Sequence, residues 1–197
     1  MSKESVVFAV AGAFFGLIVG WILGSQQAAP RPAPTAARAE APASGQQQAA
    51  ATPTFDDTRA RALEVRAQQS PADPSVRAEL GNMYFDVERY DQAIRWYEDA
   101  LKIDPKNVEV STDLGVSYYY TNQPDRALAQ FDRSLAINPK HTKTILNQGI
   151  VRAFGKQDLT GAAEAWQKVI AIAPDSPEAR AAKQALESMK AAHPGVS

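Results

Sequence analysis

One stretch of this chain is written twice, 34 residues apart, and a third time with one residue added. "AELGNMYFDVERYDQAIRWYEDALKIDP" begins at Ala78, and "TDLGVSYYYTNQPDRALAQFDRSLAINP" begins at Thr112. Leu80-Gly81 maps to Leu114-Gly115, Tyr84 to Tyr118, Ala93 to Ala127, Tyr97 to Phe131 and Pro105 to Pro139. The third copy, "LNQGIVRAFGKQDLTGAAEAWQKVIAIAP", supplies Gly149, Ala162, Trp166 and Pro174. A fixed period of this length means stacked supersecondary units, because one unit cannot cover its own apolar face. Within each copy, two stretches of helical period flank a turn, "ERYD" in the first and "NQPD" in the second. Gly81, Gly115 and Gly149, with Ala93, Ala127 and Ala162, let the two helices of a copy approach closely. Tyr84, Tyr97, Tyr118, Phe131 and Trp166 are expected to fill the layer between neighbouring copies. Pro105, Pro139 and Pro174 each follow a second helix that a proline cannot continue.

The period, with Leu-Gly, Tyr, Ala, an aromatic and Pro at these offsets, resembles the tetratricopeptide-repeat family over residues 74 to about 176. The resemblance implies a right-handed α-solenoid and a protein-binding role. In that family the first helices line a concave groove. Carried over by position, the groove takes Asn82, Phe85 and Asp86 from copy one, and Thr112, Val116, Tyr119 and Tyr120 from copy two. Copy three adds Lys143, Asn147, Ile150 and Phe154. The chaperone-binding clamp of some family members needs Lys and Asn, then Asn, then Lys and Arg. This chain offers Ala78 and Asn82, Asp113, and Lys143 with Asn147, so two of the five match, and Asp113 would repel a ligand carboxylate. A segment with apolar side chains suits the groove better.

Both ends of the array read as caps. "PEARAAKQALESMK" puts Ala179, Ala182, Leu186 and Met189 on one helical face, with Ser176 as N-cap and Pro177 at the first helical position. Upstream, residues 56–70 read as a charged amphipathic helix over the first repeat. The third copy departs from the others. Gly81 to Ala93 and Gly115 to Ala127 each span 12 residues, but Gly149 to Ala162 spans 13. The turn around "KQDLTG" is therefore expected to carry one extra residue. Gln148 and Arg152 replace Leu and Tyr there, and Arg152 either pairs with a nearby carboxylate or marks a docking site for another chain.

Upstream of the repeats, Val6 to Leu23 is apolar and uncharged, about 27 Å long as a helix against a hydrocarbon core of about 30 Å. Residues 1–24 are expected to form a single transmembrane anchor. The alternative is a cleaved secretory signal, disfavoured by the barely basic start (Lys3 beside Glu4), the long apolar run and Pro30 after Ala28-Ala29. Gly12, Gly16, Gly20 and Gly24 form a small-residue stripe suited to helix packing in lipid, with a second copy or a partner helix. Residues 25–54 are Ala-, Pro- and Gln-rich and are expected to be a disordered tether. The short leading segment favours an N-terminus in the cytoplasm and repeats on the periplasmic side of a bacterial inner membrane.

The expected fold class is thus all-α, with no strand pattern. A single transmembrane helix (1–24) and a disordered linker (25–54) precede an N-cap helix (55–73). Repeats at 74–107, 108–141 and 142–176 follow, then a C-terminal capping helix and tail (177–197). No catalytic constellation is visible. His141 and His193 lie in connections without a metal-ligand spacing, there is no cysteine, and no glycine-rich phosphate loop follows a strand. A formal net charge of -1 leaves no electrostatic footprint for nucleic acid. The expectation is a non-enzymatic scaffold without cofactor or metal. It binds a protein or peptide partner and sits in the membrane through its N-terminal helix. The alternatives are a self-assembling structural subunit of a membrane complex and a secreted repeat module.

Overall fold

The computed structural model describes residues 55–193. Their regular elements are helical: α1 (Asp57–Gln69), α2 (Pro74–Asp86), α3 (Tyr90–Ile103), α4 (Val108–Tyr120), α5 (Pro124–Ile137) and α6 (Thr142–Ile150). A π-helical segment (Val151–Gly155) continues α6, and α7 (Leu159–Ile172) and α8 (Pro177–Ala192) follow. No strand occurs among the described residues. The expected anchor, its glycine stripe (Gly12, Gly16, Gly20, Gly24) and the linker lie outside the described residues. None of the described helices is long and apolar enough to cross a membrane.

Consecutive helices pack as antiparallel neighbours, α2 on α3, α4 on α5 and α6 on α7, with α1 against α2 and α8 against α7. What brings each pair together is a glycine on the first helix facing an aromatic ring on the second. A Cβ at Gly81, Gly115 or Gly149 would run into Tyr97, Phe131 or Trp166 respectively. Those three rings are almost wholly buried, and burying each is worth about 1.5–3 kcal/mol. Each ring thus closes its own repeat, and Tyr97 and Phe131 also belong to a core that continues into the neighbouring repeats through Val110, Leu114 and Val151. Tyr84 and Tyr118 do reach the preceding unit, their hydroxyls donating to Glu64 (3.5 Å) and Glu98 (2.6 Å).

Helix ends repeat with the same regularity. After α2 and α4 the chain turns through a left-handed residue, Glu88 at φ 61° and Asn122 at φ 60°. The next amides close the turn: Arg89 N–H donates to Tyr84 O at 2.9 Å, and Gln123 N–H to Tyr118 O at 2.8 Å. Polar side chains cap the helix starts. Asn107 accepts from Val110 N–H at 3.1 Å, Asp158 from Gly161 N–H at 2.9 Å and Ser176 from Ala179 N–H at 3.0 Å. In α8, Ala179, Ala182 and Met189 are buried as expected; Ala181 and Ala185 join them, and Leu186 is half-buried.

The extra residue of the third repeat is not in the turn. Gln157 is the left-handed residue there, at φ 57°. It stands five positions before Ala162, as Glu88 does before Ala93 and Asn122 before Ala127. The insertion lies upstream, absorbed in the first helix as the π segment, where Lys156 N–H reaches back to Val151 O at 3.1 Å. Arg152, in place of a tyrosine, pairs with Asp158 at 2.7 Å, the residue that caps α7.

Candidate partner-binding face

The first helices α2, α4 and α6 bring the carried-over residues to one side of the array, and the structure divides them into three kinds. Thr112 and Ile150 are buried. Thr112 packs between first helices, its hydroxyl 2.6 Å from that of Thr144, and so does not line an open groove. Ile150 likewise belongs to the core. These two are corrected: the close approach of neighbouring first helices takes them out of reach of a ligand.

Asn82 is exposed and Lys143 and Asn147 are half-buried, and all three are engaged. The Tyr97 hydroxyl, at the far end of the ring that faces Gly81, donates to Asn82 Oδ1 at 2.8 Å. Burial, with Asp113 and Asp86 nearby, pushes the Tyr97 hydroxyl up, so it stays protonated. Lys143 Nζ lies 2.9 Å from Asp113 and 3.4 Å from Glu109. Burial pushes the Asp113 carboxyl up, and the Lys143 charge opposes that shift. His141 completes the cluster, its Nε2 being 2.8 Å from Glu109 and its Nδ1 2.6 Å from the Thr144 hydroxyl. Asn147 donates to Lys143 O at 2.8 Å.

The aromatic members form the third kind. Phe85, Tyr119 and Tyr120 are half-buried and Val116 packs beside them against the core. Tyr120 stacks on Tyr90 with ring centroids 4.4 Å apart and planes 9° off parallel. Phe85 meets both edge-on, 5.3 Å from Tyr90 and 6.2 Å from Tyr120. Tyr119 lies 6.0 Å from Tyr120. Desolvation, helped by Glu88, pushes Tyr90 up to about 12, and Tyr120 is raised for the same first reason. Phe154, on the π segment, is 45% exposed. Next to it, Gly155 packs under Tyr119 and Pro124, where a Cβ would come within 2.9 Å of the proline. The cluster thus runs along the ends of α2, α4 and the π segment, where these helices turn into their partners.

Sequence reasoning missed Tyr90 and the Tyr97 hydroxyl. Tyr90 opens a second helix, and its periodic equivalent is Pro124, so no repeated pattern marks it. Tyr97 carried a signal: it is the one member of the Tyr97, Phe131, Trp166 series with a hydroxyl.

Comparison with known proteins agrees with this geometry. A family model described as TPR repeat matches residues 81–122, and one described as tetratricopeptide repeat matches residues 112–177. No curated protein matches the chain in sequence. Among solved structures, MamA is similar at 23% identity and a TM-score of 0.56, covering 58% of this chain and 67% of that one. The first TPR domain of human RPAP3 is similar at 29% identity and a TM-score of 0.52, over 61% of this chain and 97% of that domain. The first TPR of Spaghetti (RPAP3), bound to the HSP90 peptide SRMEEVD, is similar at 25% identity and a TM-score of 0.52, over 70% of this chain and 95% of that one. With the helix pairs and their glycine–aromatic contacts, these matches support a tetratricopeptide-repeat protein, its family signature lying in residues 81–177.

Proposed function

We propose that this chain is a protein-docking scaffold whose first-helix face receives a segment of a partner protein. The observation that carries this is the ring cluster of Phe85, Tyr90, Tyr119 and Tyr120, contributed by two adjacent repeats and only half-buried. Aromatic side chains in such half-buried sets are the ones that anchor interfaces. The repeat fold itself is an interaction scaffold, which favours docking over catalysis.

The RPAP3 neighbour holds an acidic peptide, SRMEEVD. The residues here favour a different occupant. Lys143, which such a tail would use, already serves Asp113 and Glu109, and Asn82 serves Tyr97. An added carboxylate would meet Asp113 and Asp86 and be repelled.

In the same proposal, residues 1–24 hold the scaffold in a membrane as a single-pass anchor, and residues 25–54 act as a tether. The repeats then face the periplasm of a bacterium, in the assembly of a membrane or envelope complex. The apolar, uncharged run Val6 to Leu23 supports that part, and Gly12, Gly16, Gly20 and Gly24 would pack against another helix there. The test is affinity purification from membranes with the parent chain and with Tyr119→Ala/Tyr120→Ala, folding checked by circular dichroism. Loss of partners from the folded variant is expected; unaltered recovery would overturn the docking face. A reporter active only in the cytoplasm, fused at Ser197, is expected to be silent.

A further inference from the structure

Asp86 is unfavourably placed for the fold. It is the last residue of α2, where the aligned peptide dipoles disfavour a negative charge. Partial desolvation pushes its carboxyl up. Among the described residues it has no hydrogen bond and no ion pair. Several other carboxylates are answered by cations: Glu79 has Arg59, Glu98 has Arg126, and Glu109 and Asp113 share Lys143. Glu88, two residues on, is like Asp86 in having no ion pair, and its charge acts on Tyr90 and Tyr120. The 34-residue period sharpens the contrast, because it places Asp86, Tyr120 and Phe154 at equivalent positions. A carboxylate therefore heads a row that is otherwise aromatic.

Around that row the balance of charge is negative. Asp86 and Glu88 lie at the ring end, Glu88 acting on both Tyr90 and Tyr120. The cations beside Phe154 are taken, Arg152 by Asp158 and Lys156 by Asp125, and nearer the helix starts Lys143 is held by Asp113 and Glu109. Asp86 and Asp113 both act on the Tyr97 hydroxyl, which donates to Asn82 Oδ1. We infer that this face takes a partner segment carrying an arginine or lysine beside apolar side chains, the cation at Asp86 and the apolar groups against Phe85, Tyr90 and Tyr120. The inference rests on the docking role proposed above and names the chemistry of its partner. Charge complementarity selects this occupant: a guanidinium or ammonium satisfies a carboxylate through charge-assisted hydrogen bonds and is attracted to ring faces. An acidic or carboxylate-ended segment gains neither.

The experiment pans a display library of random dodecapeptides on the purified full chain, then titrates the enriched peptides, fluorescently labelled, against the parent and Asp86→Asn. The enriched peptides are expected to carry Arg or Lys next to two or more apolar residues. Asp86→Asn should weaken them about tenfold at low salt, and added salt should weaken the parent in the same way. The thermal midpoint of Asp86→Asn should equal or exceed the parent's, since the fold loses only an unfavourable charge. Acidic or uncharged peptides whose binding still depends on Tyr120 would overturn the cation site and leave the docking face standing. No enrichment, or binding that survives both Asp86→Asn and Tyr120→Ala, would overturn both. Competition by a synthetic peptide of residues 29–40, which contains Arg31 and Arg38, would put the chain's own tether in place of a partner and overturn the inference. Self-association that Asp86→Asn abolishes would do the same in favour of a second copy.

Discussion

Gly115→Ala tests whether the repeats are held by glycine–ring contact. Gly115 lies on α4 opposite Phe131, whose ring is fully buried and has no route to solvent. A Cβ added at Gly115 would lie 2.7 Å from Phe131 Cδ1 and 3.2 Å from Cζ, with Cε1 closer still. The ring must move into a core that also holds Ala127, Leu114 and Val151. Overpacking of this kind costs about 1–3 kcal/mol. Replacing a helical glycine by alanine returns up to about 1 kcal/mol of intrinsic propensity. The two act in opposite directions, and contact this close makes overpacking the larger. The expected net loss is about 1–2 kcal/mol, which for a urea slope near ~2 kcal/mol per molar lowers the midpoint by about 0.5–1 M. Urea titration followed by far-ultraviolet circular dichroism measures it. Phe131→Leu removes the ring edge, so the double variant should be more stable than the sum of the two single losses, with a coupling of roughly 1 kcal/mol. A Gly115→Ala chain as stable as the parent, or additive with Phe131→Leu, would refute the contact argument.

Other outcomes follow from single turns and caps. Glu88 and Gln157 hold a left-handed conformation that costs an L-residue about 1 kcal/mol. Glu88→Gly and Gln157→Gly are therefore expected to raise stability by about 0.5–1 kcal/mol, while Asn122→Gly changes little, all read from thermal or urea midpoints. Asp158 is held below the ordinary carboxylate range by the Gly161 amide and then by Arg152. Its contribution is therefore present above its unfolded pKa and fades as pH falls through the lower, folded value. Asp158→Ala should cost about 1 kcal/mol at pH 7, with parent and variant converging in acid below about pH 4. Thr112→Val removes one of the two 2.6 Å partners of the buried Thr144 hydroxyl, leaving His141 Nδ1, and should cost about 1 kcal/mol in the same urea assay.

Much of the fold was legible because the period carries it. Gly, Ala and Pro recur at one offset from the first copy to the second, and Ser176-Pro177 is a local start signal that the structure bears out in its cap. The position of the inserted residue was not legible. A count of 13 between Gly149 and Ala162 says that a residue was added, not where, and neither Glu88 nor Gln157 advertises a left-handed turn as glycine would. The candidate face was harder still. Thr112 and Ile150 occupy positions that line grooves elsewhere, but whether such a position is open depends on how closely the next first helix packs, which no single residue records. Tyr90 joins the ring cluster through a stacking geometry that only the folded turn creates. The charge at Asp86, by contrast, is plain in the sequence; that it has no ion pair in the fold is visible only in the structure.

The central claim is that a partner docks on the first-helix face at the ring cluster. Photo-crosslinking in native membranes tests it directly, with a crosslinkable residue placed at Phe154 in one chain and at the exposed Glu164 of α7 in another. The account predicts a discrete partner adduct from position 154 that disappears in Asp86→Asn/Tyr120→Ala, and none from position 164. Adducts from position 164 alone, or from position 154 with the double substitution present, would contradict it.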